Sequence, residues 1–298
     1  MTDPAQSASA PRPVRSTVVA LGWSVLFFVL GTLLATLFAV GLAFIFGPAG
    51  KPLSMLNQPG PAAILVQAFA ALGGFGVATW AIGMKWNRLT LADLRWQVIQ
   101  PRVAGVAVGL VVGAVAAGLT LVLAFGFGGA RLTPDSGTFA DYLRQVFLTV
   151  VVLAPAALSE EVVFRGVPLV LLARPLGRRN AVLLTSVLFA MAHLLNPGVQ
   201  PLALVNIGLA GLFLGAAFYL PGGIWTAFGL HLAWNATLAS TDAPVSGLPF
   251  TIPWINYSPG GPDWLTGAGF GPEGGVVATI VLVLGLIWAG KRTAREGT

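Results

Sequence analysis

From Val18 to Phe46 the chain runs without a single Asp, Glu, Lys, Arg or His. The apolar core of a secretory leader is roughly 7–15 residues long, whereas a spanning helix needs about 20 apolar residues in a row. The run therefore reads as a first membrane span and not as a cleaved leader. Comparable runs recur at roughly 61–84, 103–127, 140–172, 180–195, 201–219, 222–240 and 275–290, which predicts about eight spans. Composition agrees: 9% of the residues are charged, against about 25% in a soluble domain. There is no cysteine, which excludes a disulfide framework and a thiol nucleophile.

The net charge of +6 is explained by topology. With the N-terminus inside and eight alternating spans, Arg12, Arg15, Lys85, Arg88, Arg95, Arg102, Arg174, Arg178, Arg179, Lys291, Arg292 and Arg295 all fall on the cytoplasmic side. Only Lys51 and Arg131 fall outside, while Arg144 and Arg165 lie within the fourth span. Such a bias is what orients membrane proteins, so no nucleic-acid partner is needed and both termini are expected in the cytoplasm. The Ala-, Gly- and Val-rich composition points to a GC-rich bacterium, hence to a multi-pass protein of the plasma membrane. The expected division is a disordered N-terminus (1–16), three transmembrane helices (17–139), a core (140–240), and then an external loop, a last span and a basic tail (241–298). The Pro- and Gly-rich loop 241–274, with Trp254 and Trp264, reads as an interfacial segment anchored by aromatics, with a substrate lid as the alternative. The glycines of "GLVVGAVAAG", Gly109–Gly118, predict close helix packing.

An ionisable group near the bilayer centre costs at least ~2.5–3.5 kcal/mol on insertion scales. Of the ten acidic residues only Glu160 and Glu161 sit well inside a span; the rest, including Asp242 and Glu273, are assigned to loops, tails or span ends. The chain's two histidines, His193 and His231, both fall inside spans. Counting 1.5 Å per residue from the cytoplasmic ends, Glu160 and His193 lie roughly 21 and 20 Å in, and His231 and Asn235 roughly 14 and 20 Å. Separate helices thus bring Glu, His and His/Asn to a similar depth, near the middle of the bilayer or somewhat to its cytoplasmic side. Residues four apart share a helix face, which pairs Glu161 with Arg165, Phe189 with His193, and His231 with Asn235. Glu160 and Glu161 point about 100° apart. Glu161 is therefore assigned to Arg165 as an ionised brace, and Glu160 is left to face the histidines. Phe189 is assigned to packing. Gln67 and Asn206, also within spans, are assigned to hydrogen bonds between helices, and Arg144 snorkels outward.

A carboxylate and two imidazoles in a partly dehydrated pocket can hold and deprotonate a water, and Asn235 can donate to a developing oxyanion. If a metal is bound, Glu160, His193 and His231 are the ligands, and zinc is the ion such a set takes. Both routes lead to hydrolysis of an amide. The chain lacks H-E-x-x-H, G-x-S-x-G and a pair of intramembrane Asp residues. A transporter with a Glu/His proton relay and a non-catalytic membrane scaffold stay open, although no internal repeat of the kind transporters often show is present.

Three short patterns occur in order on successive apolar segments: "EEVVFR" at Glu160–Arg165, "FAMAH" at Phe189–His193 and "HLAWN" at His231–Asn235. Together they resemble the E-E-x-x-x-R, F-x-x-x-H and H-x-x-x-N motifs of the CPBP family of intramembrane proteases. That family includes the type II CAAX prenyl endopeptidases and the bacterial Abi and bacteriocin-immunity-type proteins. The resemblance covers about residues 140–240 and makes spans four to seven the catalytic core of an all-α integral membrane protein. It implies an endopeptidase, of a family called metalloproteases, that acts on a membrane-associated or prenylated CAAX-type protein or peptide at the lipid bilayer. It further implies Glu160 as the carboxylate that activates water, His193 as its partner in holding that water, His231 and Asn235 as the oxyanion side of the site, and Glu161 with Arg165 as support.

Overall fold

The computed structural model describes residues 16–57, 60–96 and 99–295. The expected disordered N-terminus, with Arg12 and Arg15, lies outside the described residues except for Ser16. Helices α1 (Thr17–Phe46), α2 (Ser54–Asn57), α3 (Pro61–Ala78), α4 (Ile99–Gly128), α5 (Phe139–Arg165), α6 (Val167–Ala192), α7 (Pro201–Phe218), α8 (Ile224–Ala239), α9 (Asp263–Thr266) and α10 (Val276–Arg295) follow one another. A π-helical stretch, Thr79–Trp86, extends α3. Two four-residue strands, β1 (Arg131–Pro134) and β2 (Ile255–Ser258), pair antiparallel. The protein is an all-α integral membrane protein.

Among the described residues six stretches are long and apolar enough to cross a membrane: Thr17–Phe46, Pro61–Trp86, Arg102–Gly128, Phe139–Ala192, Pro201–Phe218 and Val276–Thr293. The difference from eight expected spans has two physical causes. The fourth and fifth expected spans run together as one stretch of 54 residues, broken at Gly166 and again at Gly177, whose φ of 76° and ψ of 159° suit only glycine. The seventh, α8, is only 16 residues long.

The helices are placed by local chemistry. Thr138 and Asp141 form a capping box that starts α5: the Thr138 hydroxyl accepts from the Asp141 N–H, and the Asp141 carboxylate accepts from the Thr138 N–H at 2.9 Å. Prolines open α3 and α7, where a missing N–H costs nothing. Gly105, Gly109 and Gly113 of α4, at i, i+4 and i+8, face Gly222 in the turn before α8 and Thr226, Gly229 and Leu230 within it. A β-carbon on any of the three would overlap the backbone of that segment. The expected close packing therefore holds for Gly109 and Gly113, whereas Gly118 faces open space.

Helices α7 and α8, at 18 and 16 residues, rise only about 27 and 24 Å, less than the ~30 Å hydrocarbon core. Helix α6 ends at Ala192, so His193, expected within a span, is the residue that leaves the helix. Segment 241–275 packs over the turn that follows His193. Val245, Phe250, Ile252 and Phe270 of this segment are buried. Asp242 accepts a hydrogen bond from the Ile252 N–H at 2.9 Å, and the Trp254 N–H donates to the Ser136 carbonyl at 2.7 Å. Expected as an interfacial loop, the segment is a folded cover. Trp254 and Trp264 remain partly exposed on its outer side.

Candidate active site

Beneath the cover lies a cavity of about 340 Å³. Helix α5 contributes Glu160, α6 contributes Phe189 and His193, and α8 contributes His231 and Asn235. Glu161 and Arg165 sit immediately behind, 0% and 1% exposed. All seven residues singled out by the sequence therefore gather at one place.

Arg165 Nη1 donates to Glu161 Oε1 at 3.1 Å, as its i, i+4 spacing predicts. Arg165 Nη2 donates to the Gly211 carbonyl of α7 at 3.1 Å, and its guanidinium carbon stands 4.5 Å from the centre of the Phe189 ring. Glu161 is the counter-charge of this enclosed guanidinium, and breaking such a buried pair costs about 3–5 kcal/mol. Glu161 has a second role that the spacing did not show: its Oε1 also accepts from His231 Nδ1 at 2.8 Å. The brace and the site thus share one oxygen atom.

The two imidazoles are held alike. His193 Nδ1 lies 2.8 Å from the Phe189 carbonyl oxygen, and that oxygen can only accept. His231 Nδ1 faces the Glu161 oxygen that already accepts from Arg165, and this oxygen accepts here as well. Each ring is therefore tied as the Nδ1–H tautomer, which leaves Nε2 with a free lone pair. His231 Nε2 is 3.7 Å from Glu160 Oε2, beyond direct hydrogen-bond length. Phe189 is the spacer between the rings, with its centroid 4.7 Å from that of His193 and 6.1 Å from that of His231. Asn235, one turn beyond His231, lines the cavity with no hydrogen-bond partner among the described residues. Among the described residues no group of three His, Asp or Glu side chains is placed to hold a metal ion. Glu160, His193 and His231 as arranged therefore do not form the zinc set expected if a metal is bound.

Glu273 is the residue that sequence reasoning missed. Assigned to an external loop, it is 6% exposed and lines the cavity. Trp234 Nε1 donates to its Oε1 at 2.7 Å, the Ser246 N–H donates to its Oε2, and the Ser246 hydroxyl lies 3.1 Å from the same oxygen. Burial pushes its carboxyl above the usual range, against the pull of these donors. Asn206 donates to the Glu273 and Gly275 carbonyls at 2.7 and 2.8 Å, the bonding between elements expected of it. Asn196 donates to the Ser246 carbonyl at 2.8 Å. The cover is thereby tied both to α8 and to the turn after His193. The signal available in the sequence was a carboxylate among glycines, "GPEGG", directly before an apolar run.

Residues 142–237 match the family described as type II CAAX prenyl endopeptidase, Rce1-like. Over these residues the chain is similar to the CPBP family of intramembrane proteases. The matched CPBP segment runs from α5 to α8 and contains Glu160, Glu161, Arg165, Phe189, His193, His231 and Asn235. Helix α3, the cover and α10 lie outside it. No curated protein and no solved structure matches the chain. CAAX-type intramembrane endopeptidase activity is the general function this family carries.

Proposed function

We propose that this protein hydrolyses a peptide bond of a membrane-associated or prenylated substrate by a water activated between Glu160 and the two histidines. The observation that carries the reading is the shared tautomer: two imidazoles tied through Nδ1 present bare Nε2 atoms to a cavity that holds an unbonded carboxylate. One Nε2 accepts a hydrogen bond from one hydrogen of the water and orients it, which leaves the other hydrogen for Glu160. Glu160 takes the water's proton as its oxygen attacks the scissile carbonyl carbon. The resulting oxyanion accepts from the Asn235 carboxamide. Glu160 then gives its proton to the departing amine nitrogen as the C–N bond breaks. Glu161, paired with Arg165, holds His231 in the tautomer this requires. Apolar residues on several elements, among them Leu153, Ile207, Leu214 and Leu282, suit the cavity to a hydrophobic or lipidated chain.

The test is cleavage of a panel of membrane and prenylated peptides by purified protein, wild type beside Glu160→Ala, with and without a chelator. Wild type is expected to cut, and folded Glu160→Ala to lose at least about 100-fold of the rate. The chelator is expected to change nothing. Equal cleavage by Glu160→Ala would sink the mechanism. Proton flux in proteoliposomes, with no cleavage of any peptide, would favour the transporter reading instead.

A further inference from the structure

Most polar side chains that line the cavity already have a partner. Ser159 bonds the Ala156 carbonyl, the histidines and Asn196 are tied as described, and Trp234 and Ser246 bond Glu273. Three have no hydrogen bond among the described residues: Glu160, Asn235 and Gln67. The first two have work in the proposed reaction, and Gln67 has none. It is the single polar side chain in the 18 residues of α3, a helix outside the matched segment 142–237. Its expected hydrogen bond to a neighbouring helix is not made. Ile64, Gln67, Ala68 and Ala71 line the cavity at i, i+3, i+4 and i+7, so one face of α3 is turned to it. Gln67 lies about 9 Å from the N-terminal end of α3, and Ala68 and Ala71 beside it leave room.

Gln67 is exposed where it lines the cavity, so its amide donor and acceptor are both open to a bound molecule, which a leucine there would not offer. A peptide bond within a helix is shielded by the helix, so a substrate must be unwound before water can reach its carbonyl. Unwinding orphans backbone N–H and C=O groups where the bilayer offers no replacement. A carboxamide carries a donor and an acceptor side by side, the complement of one peptide group. We propose that Gln67 is a substrate-contacting residue that hydrogen-bonds the unwound backbone of the peptide beside the scissile bond. The inference rests on the endopeptidase reading and extends its site to α3.

The experiment uses full-length protein carrying Gln67→Leu, a change that α3 tolerates as an apolar helix. Binding of a fluorescein-labelled farnesylated CAAX peptide and of an unlipidated hydrophobic peptide is measured by anisotropy in a Glu160→Gln background. Cleavage of both is measured with Glu160 intact, and the cut is mapped by mass spectrometry. Peptides are then made with an ester in place of each amide link flanking the cut. Gln67→Leu should weaken binding and lower kcat/KM about tenfold, the size of one hydrogen bond, with the melting temperature kept or raised. One ester analogue should lose about tenfold with wild type and nothing further with Gln67→Leu. Unchanged binding and cleavage in folded Gln67→Leu, or ester losses equal in both proteins, would overturn the inference. If the peptides bind more weakly to Gln67→Leu but wild type cuts neither, the contact stands and the endopeptidase reading falls. If neither peptide binds or is cut, both fall.

Discussion

His231 donates its Nδ1 proton to Glu161 at 2.8 Å, and the same carboxylate oxygen accepts Arg165 at 3.1 Å. A residue placed as a brace is therefore also what turns an imidazole toward the cavity. Its removal has two consequences that separate measurements can resolve.

Glu161→Gln leaves Arg165 without its counter-charge and His231 without a fixed tautomer. Loss of the buried pair should cost about 3–5 kcal/mol of stability, read as a lower melting temperature. Activity per folded molecule should fall at least about tenfold, as for other groups that orient a histidine. The chain's two histidines make ¹⁵N-imidazole spectra simple to assign. One signal, that of His231, should leave the Nδ1–H pattern while that of His193 keeps it.

Glu160→Gln has no such structural penalty, because the side chain is 36% exposed and its Oε2 makes no hydrogen bond among the described residues. Melting temperature should stay within about 2 °C of wild type, the behaviour of a substitution outside the packed core. Turnover should drop at least about 100-fold. A large loss of stability would show that Glu160 has a structural role.

The contact between α4 and α8 sets where His231 and Asn235 stand, and it depends on glycine. Gly109→Val or Gly113→Val should push α8 away from α4, lowering stability by about 1–3 kcal/mol or more and activity with it. Gly118→Ala, facing open space, should instead stabilise the helix by up to about 1 kcal/mol. Thermal melts in detergent with all three variants check the contrast.

Glu273 accepts on both oxygens, and a glutamine there can accept on only one. Glu273→Gln should leave Trp234 Nε1 or the Ser246 N–H unpaired at about 1–3 kcal/mol and loosen the cover. Limited proteolysis should then cut within 241–274 faster than in wild type. The pH dependence follows from the raised carboxyl. The folded state binds this proton more tightly than the unfolded chain, so the group's contribution to stability is full at acid pH and is lost as pH rises through the folded value. Melting temperatures of wild type should therefore fall relative to Glu273→Gln over that rise.

Membrane insertion and the seven side chains of the three motifs that gather at the cavity were legible in the sequence, because each is a local property. A charge in an apolar run stands out one residue at a time, and i, i+4 spacing settles the Glu161–Arg165 pair before any tertiary fold exists. Where each segment stops was less legible. Gly177 breaks α6 through its backbone angles, and α8 stops at Ala239, which leaves helices too short for the bilayer beside a cover that no apolar run announces. What only the tertiary structure decided are the relationships between distant segments. Glu161 meets His231 across 70 positions, Glu273 meets Trp234 across 39, and Gln67 faces a cavity whose other walls come from helices after position 139. Hydropathy and spacing see one helix at a time, and these contacts exist only once the helices are packed against one another.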